Sequence, residues 1–74
     1  MKFKLWSKVG MGGVWTESVE RAAKSAEQAV EALCSERKAG KPARYTNDTY
    51  RATITVQGRV YYLYVKAERI RASG

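Results

Sequence analysis

Aromatic rings interleaved with cations can stack on nucleobases while neutralising phosphates, and this chain carries such an alternation twice. Residues 59–71, RVYYLYVKAERIR, set Tyr62, Tyr64 and Lys66 at every second position. Residues 2–9, KFKLWSKV, do the same with Lys2, Lys4, Trp6 and Lys8. Successive side chains of a strand point to opposite faces, so each set shares one face. Phe3, Leu5 and Val9, or Tyr61, Leu63 and Val65, then fall on the other face as core. A stacked ring contributes about 1–3 kcal/mol per base with little sequence preference. The same residue types serve two other ends. Cross-strand Tyr and Thr stabilise sheets while edge lysines block aggregation, and Tyr, Trp and Arg anchor protein interfaces.

Other chemistry finds little footing. The chain has no histidine and a single cysteine, Cys34, so a metal site of the usual ligand types is not expected and an internal disulfide is excluded. Paired carboxylates, Ser-Lys or Cys-His arrangements at a convincing spacing are lacking, and the expectation is a protein that is not an enzyme and takes no cofactor. Gly10-Met11-Gly12-Gly13 lacks the Lys-Ser/Thr of a phosphate loop and the glycine spacing of a dinucleotide fingerprint, and reads as a hairpin loop. Asn47-Asp48-Thr49 matches a glycosylation sequon but reads as a turn.

Seventy-four residues make one domain, read as 1–74, with a thin stability margin. Fourteen Lys and Arg against seven Asp and Glu give a net charge of +7, a footprint that points to polyanions: nucleic acid, nucleoprotein or an acidic protein surface. The charge gathers towards the chain ends, whereas Glu17, Glu20, Glu27, Glu31 and Glu36 fall between them. Lysines interrupt the apolar residues of MKFKLWSKV, so it does not read as a signal peptide, and no apolar run approaches the roughly 20 residues of a membrane span. A cytoplasmic protein is the expectation, in keeping with the lone cysteine.

The elements that must position these residues follow from pattern. YRATITVQGRVYYLYVKA contains two β-rich runs joined by Gln57-Gly58, a two-residue hairpin. That turn pairs Val56 with Arg59, Ile54 with Tyr61, Ala52 with Leu63 and Tyr50 with Val65 on a core face. Thr53 opposite Tyr62, Arg51 opposite Tyr64 and Thr49 opposite Lys66 lie on the other. SAEQAVEALCSERKAG predicts a helix opening at Ser25, with Gln28 completing a capping box, and closing at Gly40 with Arg37 and Lys38 in its last turn. Ala26, Ala29, Val30 and Leu33 form its apolar stripe, and Cys34 beside them reads as a partly buried small apolar residue. Residues 14–24 admit a longer helix or a second strand with Trp15, Val19 and Ala23 on the core side; the strand is preferred. The expected class is α+β: an antiparallel sheet, β-β-α-β-β or β-α-β-β with the longer helix, with one helix on one face and the other face uncovered.

The layout of a hairpin, a Ser-capped SAEQAVEAL helix and a C-terminal ATITVQGRVYYLYV hairpin resembles small proteins of phages and mobile elements, among them anti-CRISPR inhibitors. That resemblance implies a short, non-enzymatic protein that blocks a CRISPR effector by docking on its subunits or its nucleic-acid channel. A basic chain differs from the acidic inhibitors that mimic DNA, and would seek an acidic or RNA-bearing surface. The expectation is a binding protein whose uncovered face, through Lys2, Lys4, Trp6, Lys8, Arg51, Tyr62, Tyr64 and Lys66, meets nucleic acid or a nucleoprotein complex. The alternative is a homodimeric assembly module that buries the same face against its own copy.

Overall fold

The computed structural model describes residues 1–71 of the chain. Its elements run β1 (Lys2–Val9), β2 (Val19–Ala22), α1 (Ala26–Glu36), β3 (Ala43–Arg44), β4 (Thr49–Val56) and β5 (Arg59–Ile70). All five strands form one antiparallel sheet in the order β2-β1-β5-β4-β3, so the class is the α+β fold expected.

The β4–β5 register is the one the sequence predicts, from Val56 opposite Arg59 to Thr49 opposite Lys66. Gln57 and Gly58 have φ of 50° and 78°, the pair of positive values that a type I′ turn requires and whose twist suits a hairpin. β5 is the longest strand because it serves two partners: Leu63 to Ile70 pair with β1, while Arg59 to Lys66 pair with β4. Beyond Leu63 the β4–β5 pair continues as a two-stranded arm, held at its root by the Gly10 N–H donating to the Tyr62 carbonyl at 2.8 Å. The arm gives the molecule its long axis of 47 Å against 21 and 19 Å.

Helix α1 lies over β1 and β5. Ala29, Val30, Leu33 and Cys34 meet Phe3, Leu5, Tyr50, Ala52, Leu63 and Val65 in one buried cluster. Full burial of a Leu or Val side chain contributes about 1.5–3 kcal/mol. Ser7 is the polar member of this face, 1% exposed. Its hydroxyl accepts from Arg37 Nη1 at 3.1 Å and meets Thr16 Oγ1 at 3.3 Å, tying the helix end and the β1–β2 connection to one point. Three apolar residues expected on the core face lie outside the core: Val9, Val56 and Tyr61 are 41%, 42% and 39% exposed because all sit at the arm, past the end of the helix.

The start of the helix is as predicted, with one refinement. The Ser25 hydroxyl accepts from the Gln28 N–H, but the Gln28 side chain accepts from the N–H of Lys24 rather than that of Ser25. The stop is corrected: the helix ends at Glu36, not Gly40. Lys38, at φ 58°, takes the left-handed position, with its N–H on the Ser35 carbonyl and that of Ala39 on the Cys34 carbonyl, a Schellman closure. Gly40 has another job. Its N–H donates to the Thr53 carbonyl at 2.7 Å, and a Cβ there would stand 3.0 Å from Thr53 Oγ1, so it lets the connection press against β4. A left-handed lysine costs roughly 1 kcal/mol. Lys38→Gly should therefore stabilise the domain by about 0.5–1 kcal/mol and raise the thermal midpoint by about 4 °C, read by calorimetry; an unchanged or lower midpoint would contradict this closure.

Residues 14–24 contain a strand, but only Val19–Ala22, and the face assigned to Trp15 is wrong. Val19 stands opposite Leu5, whereas the Thr16 N–H donates to the Ser7 carbonyl, one residue out of step with that pairing. The extra residue acts as a bulge and reverses the side-chain parity upstream of it. Trp15 thus leaves the core side and lies over the opposite face beside Lys8.

Candidate functional site

The face away from the helix is not bare. Register brings Trp6 beside Lys66, Lys8 beside Tyr64, Arg51 beside Tyr64 and Thr53 beside Tyr62. Two residues that the sequence reading missed close over them: Trp15 from the β1–β2 connection and Tyr45 just after β3.

The result is a chain of rings and cations. Lys66 Nζ lies 4.8 Å from the Trp6 ring centre and 5.5 Å from that of Trp15. Lys8 Nζ lies 4.7 Å from Trp15 and 5.7 Å from Tyr64. The Arg51 guanidinium lies 4.2 Å from Tyr62 and 4.9 Å from Tyr45. Tyr64 joins the two halves, edge-on to Tyr45 at 5.4 Å and tilted to Tyr62 at 6.3 Å. Each of the three cations therefore lies near two rings, within the range where the ring quadrupole attracts a cation.

Six of the eight residues named from sequence meet in this array: Trp6, Lys8, Arg51, Tyr62, Tyr64 and Lys66. Tyr64 differs from the expectation of an exposed ring. It is 3% exposed, the floor of the array rather than its surface, because Trp15, Tyr45 and the long cation stems crowd over it. Lys2 and Lys4 share the face but not the array. They stand further along β1, paired in register with Ile70 and Glu68 of β5, and Lys4 also faces Glu20 of β2.

Charge divides across the sheet. Among the described residues the ion pairs are Arg21 with Glu36 at 3.1 Å and Arg44 with Glu27 at 2.7 Å, both on the helix side. Among the described residues Lys2, Lys8, Arg51 and Lys66 thus present their charge on the outer face without a carboxylate partner, whereas Lys4 stands between Glu20 and Glu68 in register.

The helix side also positions part of the site. Arg44 donates to Glu27, to the Tyr50 hydroxyl and to the Asn47 carbonyl, and Tyr50 donates to Glu27 at 2.8 Å. This latch fixes β3 and with it the neighbouring Tyr45, whose N–H bonds the Thr49 carbonyl. The groove beside it, about 350 Å³ and lined by Glu27, Glu31, Lys41, Pro42, Arg44 and Tyr50, is occupied at its base by these mutual bonds. The hydrogen bond from Tyr50, followed by those from its own backbone N–H and from Arg44, holds the Glu27 carboxyl below its ordinary value. Burial, then Glu27, pushes the Tyr50 hydroxyl up, and burial raises the Cys34 thiol. A carboxyl whose folded value lies below its unfolded one adds stability above about pH 4.3, lost as pH falls through the lowered value. Unfolding midpoints of the parent protein should accordingly drop more steeply below pH 5 than those of Glu27→Gln; parallel curves would remove Glu27 from the pH dependence.

Comparison of the chain with family models, with curated proteins and with solved structures returns no match. The functional reading therefore comes from the chemistry of this face. Among the described residues no cluster of His, Cys, Asp and Glu is suited to hold a metal ion. Nor, among the described residues, is any helix long and apolar enough to cross a membrane.

Proposed function

We propose that this is a non-enzymatic binding protein whose outer sheet face docks on nucleic acid, free or within a nucleoprotein complex. One observation carries the reading: four cations on a single face, without a carboxylate opposite them among the described residues, three of them set among aromatic rings. A polyanion satisfies such cations by releasing its own counterions, and rings beside them give bases a surface to stack on. The phage-protein layout and an anti-CRISPR role are part of the same proposal, since a CRISPR effector is a nucleoprotein. Self-association through this face is disfavoured, because two copies would bring like charges together.

Fluorescence anisotropy with a labelled oligonucleotide of about 15 residues tests the proposal. Binding should weaken between about 50 and 200 mM salt with a log–log slope of about −2 to −3, the value for about three to four phosphate contacts on a single strand. Absence of binding to both DNA and RNA at the lowest salt would rule it out.

A further inference from the structure

Resting on that reading, we propose that the preferred ligand is a single strand, and that its bases enter the slots between paired rings as Lys66, Lys8 and Arg51 turn out to phosphates.

In the free protein a cation already lies against each pair of rings, Lys66 against Trp6 and Trp15, Lys8 against Trp15 and Tyr64, Arg51 against Tyr45 and Tyr62, so the departure of its head opens a slot there. All three cations are half-buried on long, flexible stems, so their heads can leave without moving the backbone. A phosphate attracts such a head more strongly than a ring face does, because it carries full charge. The vacated slot then exposes aromatic faces to water, and a base, with a π-face on each side, covers them. One event thus meets both halves of a nucleotide.

Geometry favours one strand over two. From Lys66 to Tyr62 the slots extend about 13 Å along β5, at roughly 3.3 Å per residue. Unstacked bases can reach into slots along that line, whereas a duplex hides its base faces in its own stack and offers edges and phosphates. The competing geometry, a β-ribbon entering a duplex groove, would use the β4–β5 arm. That arm carries only Arg59 as a cation between Thr53 and Tyr62, too little charge to hold a groove.

The chain has two tryptophans, Trp6 and Trp15, and both line slots, so intrinsic fluorescence reports stacking directly. The intact protein is titrated with a single strand and with the matching duplex at low salt, by anisotropy and tryptophan emission together. Expected are at least tenfold tighter binding of the single strand, quenching that saturates with the anisotropy, and a loss of about tenfold or more in each of Trp15→Ala and Tyr62→Ala. Tyr62 is exposed, so its variant should keep the parent's circular dichroism, with a thermal midpoint lowered by only a few degrees for the lost Arg51 and Tyr64 contacts. Duplex binding as tight as single-strand binding, or saturation without quenching, would overturn the slot mechanism while leaving the nucleic-acid reading intact. Failure to bind either ligand would remove both.

Discussion

Replacing Lys8, Arg51 and Lys66 together by glutamine should lower affinity for a single strand about 100-fold at 0.1 M salt. Each phosphate contact on a single strand contributes about 0.7 to the log–log salt slope, a factor of about 5 at that concentration, and three multiply to about 100. The slope itself should flatten by about 2. Glutamine keeps much of each stem's packing and removes the charge, and the helix-side core lies on the opposite side of the sheet. Loss of the ring contacts themselves costs about 0.5–1 kcal/mol each at exposed sites, so the variant should fold with a lower midpoint. A drop of less than tenfold with an unchanged slope would show that the outer-face cations do not meet phosphates. The same substitutions on the helix-side pairs, Arg21 and Arg44, serve as the comparison, because those cations are already matched to Glu36 and Glu27.

Truncating Tyr64 should destabilise the domain as much as truncating Leu63, although the two point to opposite faces. Leu63 is fully buried under the helix, and Leu→Ala at such a site costs about 2–5 kcal/mol. Tyr64 is 3% exposed beneath Tyr45, Tyr62 and Lys8, and Tyr64→Ala should cost about 2–4 kcal/mol by the same cavity argument. For 74 residues the whole stability is roughly 4–11 kcal/mol, so either change removes a large share of it. Urea unfolding followed by circular dichroism measures both. If Tyr64→Ala moved the midpoint no more than an ordinary surface substitution, the outer array would be a decoration of the sheet rather than a second packed layer. Tyr64→Phe separates ring from hydroxyl and should be near neutral, since the packing described belongs to the ring.

The parts legible in the sequence were those set by strict periodicity or by a two-residue turn. Gln57-Gly58 fixed the register of β4 on β5, and that register alone assigned Arg51, Tyr62, Tyr64 and Lys66 to one face. Alternation in KFKLWSKV added Trp6 and Lys8. What escaped depended on breaks in periodicity. The offset between Thr16 and Val19 flips Trp15 across the sheet, and nothing in VWTESVERAA signals a bulge. Tyr45 follows a two-residue strand too short to alternate. Its signal was the turn itself, since extending the pairing back from Asn47-Asp48 sets Tyr45 opposite Thr49, beside Arg51. The helix stop was missed because Gly40 is the expected left-handed residue, whereas Lys38 takes that conformation and Gly40 is retained for its approach to Thr53. Burial of Tyr64 follows from Trp15 and Tyr45 together, so it could not be read before either was placed.

The order of the strands bears on how the chain acquires its structure. Lys2 pairs with Ile70 and Val9 with Leu63, so β1 finds its main neighbour only after nearly the whole sequence is available. Closing so long a loop is entropically slow, whereas the β4–β5 hairpin needs only its own turn. During synthesis β1 emerges before β5, with Phe3 and Leu5 unshielded, and waits while some fifty further residues leave the ribosome at about 5–20 per second. Lys2, Lys4 and Lys8, which in the folded protein lie on the outer face, keep that waiting strand from pairing with another copy of itself.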